Sequence, residues 1–402
     1  MKFRALPLLL GLASAAPAQD TVGTKWTREM ITSGNLSEER AVYVSTPEGY
    51  RTGTDRHAVL VILDANDRTQ FNLALANAAF MANRGVIPSL IVVGIPNGKN
   101  RTRDLTPVAT GATAGRFPTA GGAASFASFI VDEVIPLVRS KYRTLPAVVL
   151  AGHSFGGLLA LEVAAKRPGS FTGVIAMSPS LWWNESTGVV GYSDAIAKAG
   201  KAQRLFVTSG GLEGYIDRPT QQFAQRLDSL RPALTAFEHR RYPEASHALT
   251  PAPSLVDGLR FIFEPVSVAT LPMSTLGPSG DSAAVVNAFA ESRRRYAIGA
   301  RSIGLDERLP ESDVNQLGYG VLRLKKPELA IWVFRQNVDL YPGSANVYSS
   351  LADGLLAKGD TIAAIAQLER SIDLATRTGH PVLEDSRKKR QALDAVRAKH
   401  SK

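Results

Sequence analysis

Ala147-Val148-Val149-Leu150-Ala151-Gly152-His153-Ser154-Phe155-Gly156-Gly157-Leu158 carries the most structural information of any stretch in this chain. Five apolar residues without a polar break read as a strand covered on both faces. They run straight into G-x-S-x-G, and a helical pattern follows from Leu158 to Lys166. A serine between a buried strand and a helix sits on a sharp, strained turn, and bulk two positions either side would clash with it. The helix behind such a serine directs its free N–H groups and the positive end of its dipole at charge developing beside the hydroxyl. Ser154 is therefore the candidate nucleophile.

Working outward, the same alternation recurs on both sides. Ala58–Leu63 and Ser89–Gly94 are further buried runs ahead of the elbow, and Ala41–Val44 is a short alternating one. Gly173–Ser178, Arg204–Ser209 and Thr235–Tyr242 follow it. Helical patterns lie between, around Phe71–Asn83, Ser125–Tyr142 and Thr220–Leu230, and Pro136 should kink or split the second of these. Strands alternating with helices at this spacing predict a mostly parallel sheet wrapped on both faces, an α/β architecture of the α/β-hydrolase kind.

That arrangement supplies the serine's partners in the order serine, acid, histidine. Of the six histidines, His57 precedes the serine, and His380 and His400 lie in the helical tail. His153 is inside the elbow and reads as facing the wrong way for general-base work. His239 lies within the last strand, whereas His247 follows that strand on a loop, so His247 is the expected base. Glu213, the first carboxylate after the Arg204–Ser209 strand, is the expected acid, and Asp217 the runner-up. The oxyanion donors should be the backbone N–H of Phe155 and one from the Leu63-Asp64-Ala65-Asn66 loop, at Ala65 or Asp64.

Composition narrows the classes further. Apolar residues make up 45% and charged residues 20%, the balance of a globular protein, and cysteine is absent. Disulfides, a cysteine nucleophile and cysteine-ligated zinc are thereby excluded. Histidine is sparse and no pair has ligand spacing on one helix, so neither a metal nor a cofactor is expected. The net charge of +10 is concentrated late, at Arg293–Arg295 and Arg387–Arg390. Those runs read as solvated helix faces rather than a nucleic-acid surface. Lys2 and Arg4, the apolar run Leu6–Ala16 and Ala16-Pro17-Ala18 read as a signal peptide over residues 1–18, which predicts export to a periplasm or the exterior. No stretch is long enough to span a bilayer.

Beyond Phe263 the character changes. Residues 266–281 read as a linker rich in Pro, Gly, Ser and Thr, separating a catalytic domain (19–265) from an all-α domain (282–402). In the latter, Asp339-Leu340 recurs as Asp373-Leu374 and Ala330-Ile331 as Ala364-Ile365, both at an offset of 34 residues. Paired helices at that period have a tetratricopeptide signature. With fewer than three full repeats, the module is expected to pack against the catalytic domain.

Several separated pieces carry a family resemblance: Y-V-S-T-P-E-G-Y at 43–50, V-I-L-D at 61–64, I-V-V-G-I-P-N at 91–97, R-T-R-D-L-T-P at 101–107, the elbow, and S-P-S-L-W-W-N at 178–184. With these, residues 30–263 resemble the esterase-D-type esterases, a group that includes enterochelin (siderophore) esterases. N-V-D-L-Y-P-G-S-A-N-V-Y at 337–348 resembles the helical tail of some members. The resemblance implies that Ser154 is the nucleophile, His247 the base and Glu213 the acid, although some relatives operate with serine and histidine alone. It places Arg101 and Arg103 near an anionic substrate, with an Arg–Asp pairing that merely orders the loop as the competing account. Trp182 and Trp183 could wall an aromatic pocket, one of the two being expected in the core. The implied activity is hydrolysis of a small-molecule carboxylic ester through an acyl-enzyme. Acyl transfer, or recruitment of a protein partner by the helical repeats, are the alternatives.

Overall fold

In the computed structural model, residues 25–233, 235–267 and 281–400 are described, with side chains as far as residue 395. The expected signal peptide and most of the expected linker lie outside them. The described residues form an eight-stranded sheet: β1 (Thr27–Ser33), β2 (Glu38–Ser45), β3 (His57–Leu63), β4 (Leu90–Ile95), β5 (Thr144–His153), β6 (Gly173–Met177), β7 (Gln203–Gly210) and β8 (Thr235–Tyr242). Their spatial order is β1-β2-β4-β3-β5-β6-β7-β8. The six strands from β4 to β8 are parallel, while β1 and β2 add an antiparallel edge.

The unbroken apolar runs are explained by the two-residue period of a strand. Along β3, Ala58, Leu60 and Ile62 enter one core, and Val59, Val61 and Leu63 enter the other. The second core is closed by the helices Phe155–Lys166, Trp183–Lys198 and Asp217–Leu230 and by the segment from Ala123 to Lys141. That segment departs from α-helical geometry at Phe129–Val134, where the turn widens to a π-helix, and regains it from Ile135. Pro136 has no N–H and its ring crowds the carbonyl four residues back, and a wide turn just before it relieves both.

β1 has no counterpart in the sequence reading. Thr27–Ser33 is a mostly exposed edge strand with little apolar alternation, paired in the sheet with β2 and tied through Glu29 to Lys141 and Tyr142.

The first core joins the two halves of the chain. The helix Arg68–Ala82 and the helix Pro251–Ser267 cover the sheet there, and Val285, Phe289, Tyr296 and Ala300 of the helix Ser282–Ser302 enter the same core. The helix Pro251–Ser267 therefore extends past the expected domain boundary at 265. The carbonyl of Gly304 also accepts the N–H of Ala147 in β5, at 3.2 Å. Further helices follow at Glu311–Arg323, Pro327–Leu340, Ala345–Lys358, Thr361–Thr378 and Val382–His400.

Gly299 lies where the helix Ser282–Ser302 touches the carbonyl of Pro265, and a Cβ there would overlap that oxygen. Gly299→Ala should destabilise the whole protein by about 1–3 kcal/mol, the usual cost of overpacking. Urea denaturation monitored by circular dichroism checks this, since a tail that folds independently would lose its own transition and leave the sheet's midpoint unchanged.

Candidate active site

Ser154 caps the helix Phe155–Lys166 with φ 60° and ψ −116°, a conformation ordinarily left to glycine. The flanking sequence accounts for how it is held. A Cβ on Gly152 would strike the backbone of Gly156, so the strand can turn this tightly into the helix only with glycine there. The Ser154 N–H is donated to the Met177 carbonyl at 3.0 Å, which ties the elbow to β6. Phe155 is the first residue of the helix, where N–H groups have no intrahelical acceptor.

The loops leaving the ends of β7 and β8 bring Glu213 and His247 together, with His247 Nδ1 3.3 Å from Glu213 Oε1. That same carboxylate oxygen accepts from Ser178 Oγ at 2.6 Å and from Thr250 Oγ1 at 2.7 Å. Burial alone would raise the carboxyl's pKa, but the hydrogen bonds from His247, Ser178 and Thr250 outweigh it and bring it down to about 2. Glu213 is thus an anion at neutral pH, suited to fixing a histidine tautomer and to stabilising an imidazolium. Its other oxygen, Oε2, is buried with no hydrogen-bond partner among the described residues.

The runner-up carboxylate faces elsewhere. Asp217 accepts from Ser209 Oγ at 2.7 Å and from Arg241 Nε at 2.9 Å. His239 Nε2 lies 3.2 Å from the same Ser209 hydroxyl, so Asp217 and His239 form a separate cluster around Ser209.

Among the described residues, Ser154 Oγ meets Ser180 Oγ at 3.4 Å, and no hydrogen bond joins it to His247. Catalytic hydrogen bonds are often long before substrate arrives. His153 does not turn away from the site: its ring centroid is 4.3 Å from that of His247, at an interplanar angle of 38°.

Two further expectations need correction. The Ala65 N–H is not available to an oxyanion. Asp64 turns the chain at φ 58°, and the next N–H returns to the Ile95 carbonyl at 3.1 Å, prolonging the pairing of β3 with β4. Arg103 is not a free anion ligand either. Its guanidinium binds Asp104 at 2.7 Å and Glu38 at 2.7 Å, while Arg40 holds the same two carboxylates. Asp104 is fully buried, so this network anchors the helix Arg101–Leu105 to β2.

Arg101 combines both accounts. It grips Asp64 with two hydrogen bonds, of 2.6 and 2.9 Å, yet its partly exposed guanidinium lies 5.3 Å from the ring of Phe155. Trp183 is buried and Trp182 only half-buried. Both pack on Phe155 and on Phe117, and Trp182 meets the exposed Tyr215 at 6.1 Å. Arg116 lies over Phe117 and Trp182. An aromatic wall carrying positive charge thus adjoins the nucleophile.

A family model described as "Putative esterase" matches residues 33–239, more than half of the chain. The chain belongs to this esterase family.

Among curated relatives of the esterase, the siderophore triacetylfusarinine C esterase of Aspergillus fumigatus is 35% identical over 173 residues, 39% of this chain and 57% of that protein. The ferri-bacillibactin esterase of Bacillus subtilis is 30% identical over 171 residues, 39% of this chain and 58% of that protein. The chain spans less than three fifths of the length of these two relatives. An IroE-like serine hydrolase from Shewanella oneidensis is 25% identical with a TM-score of 0.65, covering 78% of this chain and 99% of its own. An uncharacterised protein from Capnocytophaga ochracea, 17% identical with a TM-score of 0.56, shares the fold over 92% of this chain.

Phe117, Tyr215, Arg116, Ser180 and Thr250 were not singled out from the esterase's sequence. The S-P-S of 178–180 carries only family pattern in the sequence, although two of its hydroxyls reach the site. Phe117 and Arg116 stand in a Gly-, Ala- and Thr-rich stretch with no period to mark them.

Proposed function

We propose that the protein is a serine carboxylic-ester hydrolase acting on siderophore-like esters through an acyl-enzyme. Ser154 attacks the ester carbonyl while His247 accepts its proton. The Phe155 N–H and the helix behind it stabilise the tetrahedral oxyanion, and His247 then protonates the departing alcohol. Water deprotonated by His247 attacks the acyl carbon, which releases the acid and restores the serine. Glu213 remains ionised throughout and orients the base.

The observation that carries this reading is the convergence of a strained elbow serine with a histidine bonded to a buried carboxylate, on loops from β5, β7 and β8. The substrate class is supported by the names of the relatives and by the wall of Trp182, Phe117 and Tyr215 topped by Arg116, which suits a flat, anionic acyl group. Acyl transfer is the alternative outcome of the same acyl-enzyme.

The helical tail is read as a tetratricopeptide-like accessory to the catalytic domain. Support comes from helix pairs that start 34 residues apart, at Glu311 and Ala345 and again at Pro327 and Thr361. Residues 1–18 remain a proposed export signal, and no helix among the described residues is long and apolar enough to cross a membrane.

The test is mass-spectrometric product analysis with a catecholate tri-ester, a hydroxamate tri-ester and a plain aryl acetate, each with and without an alcohol acceptor. Free acid from the siderophore-like esters is the expected result. Products in which the acyl group has moved to the acceptor would make the protein a transferase, and turnover confined to the plain ester would remove the substrate assignment.

A further inference from the structure

The base is loosely held by the partners described so far. His247 stands on a loop with about a third of its side chain exposed, and one hydrogen bond, at 3.3 Å, ties its ring to Glu213. A single bond through Nδ1 leaves the imidazole free to turn about that bond, and a small error in the direction of a general base is costly. The ring of His153 lies against that of His247, its centroid 4.3 Å away and its plane tilted by 38°.

His153 is suited to limiting that turn by what it lacks. Its Nε2 is buried and has no hydrogen-bond partner among the described residues, so that nitrogen holds no place in a proton relay. The ionisable groups facing it are His247, Asp64, Glu213 and Arg101. Burial, reinforced by the neighbouring charge of His247, lowers the His153 pKa to about 4, against the weaker pull of Asp64 and Glu213. An uncharged ring therefore faces His247 at neutral pH, and no second cation opposes the imidazolium formed during catalysis. The electron-rich face of an aromatic ring attracts a cation laid against it.

We propose that His153 is a positioning residue for the general base: its uncharged ring is the wall that keeps His247 directed at Glu213 through Nδ1, leaving the other ring nitrogen to serve Ser154. This rests on the serine-hydrolase reading above. It also assigns the residue between Gly152 and the nucleophile a part in the reaction without any contact with substrate.

The test compares His153→Phe with His153→Leu in the full-length protein. Both fill the buried volume, but only phenylalanine keeps a flat aromatic face. Fluorophosphonate labelling of the wild type first establishes that the triad is active. On one aryl ester, His153→Phe should keep kcat within about threefold, whereas His153→Leu should lower kcat about tenfold or more with KM within about twofold, as expected when a base is misdirected and binding is intact. The low-field proton NMR signal of His247 Nδ1–H should survive in His153→Phe and broaden or vanish in His153→Leu. Thermal unfolding confirms that the variants are folded, and His153→Met replaces leucine should that variant fail to fold. Wild-type kcat in the leucine variant would overturn the proposal. So would a phenylalanine variant as impaired as leucine, because the nitrogen and not the ring face would then matter. A wild type that the probe does not label removes the triad reading itself, and this proposal with it.

Discussion

Replacing Ser154 with alanine should abolish fluorophosphonate labelling and lower ester turnover by roughly six orders of magnitude, as expected when a triad loses its nucleophile. The fold should survive, because Ser154 Oγ makes one long contact, to Ser180, and caps no backbone N–H. A sharper form of the experiment uses glycine. At φ 60° and ψ −116° the serine backbone carries strain, and such positions cost of the order of 1–3 kcal/mol in a residue with a Cβ. Ser154→Gly should relieve that strain and, after glycine's own entropic cost, stabilise the protein by about 1 kcal/mol. Alanine retains the strain and should leave stability nearly unchanged. Chemical denaturation of the three proteins checks this: a glycine variant less stable than wild type would mean that the elbow is not strained in solution.

The second large effect is expected at Glu213. Glu213→Gln keeps the shape and an acceptor for the hydroxyls of Ser178 and Thr250 but removes the negative charge beside His247. A drop in kcat of about 10²- to 10⁴-fold is expected from losing the tautomer control and the stabilisation of the imidazolium. The variant also bears on stability against pH. Because the Glu213 pKa is depressed to about 2 from an ordinary 4.5, its ionised form stabilises the fold above pH 4.5, and this contribution is lost as pH falls toward 2. Wild type should lose more stability than Glu213→Gln across that interval, as read from denaturation midpoints at several pH values. A loss of activity below tenfold would place the protein with esterases in which serine and histidine suffice.

The elbow was legible in the sequence because a covered strand must be apolar at every position and the turn after it must be small, and both leave a written trace. That His247 and Glu213 meet follows from chain order, since each parallel strand delivers its loop to the same edge of the sheet. Backbone donors leave no such trace. Ala65 was chosen by position, and the turn at Asp64 that sends its N–H to Ile95 depends on a left-handed backbone at an ordinary aspartate. Arg103 illustrates a different limit. Its sequence neighbours announce a charged loop, but its partner Glu38 lies 65 residues away, and only the folded chain shows that β2 claims the guanidinium. Tyr215 and Phe117 were missed for a similar reason, as single aromatics in loops with no period to mark them.

The core shared by the sheet and the helix Ser282–Ser302 has a consequence for how the molecule can be divided. The stretch matched by the family model ends at residue 239, whereas Leu255, Leu259, Ile262 and Phe263 share one continuous interior with Val285, Phe289 and Tyr296. The stretch that carries the family pattern is thus shorter than the unit that must fold together. Excising the catalytic segment as a cassette would strip one side of the sheet to water and leave a sticky slab. Exchanging tails between relatives should succeed only when the helix Pro251–Ser267 travels with the tail.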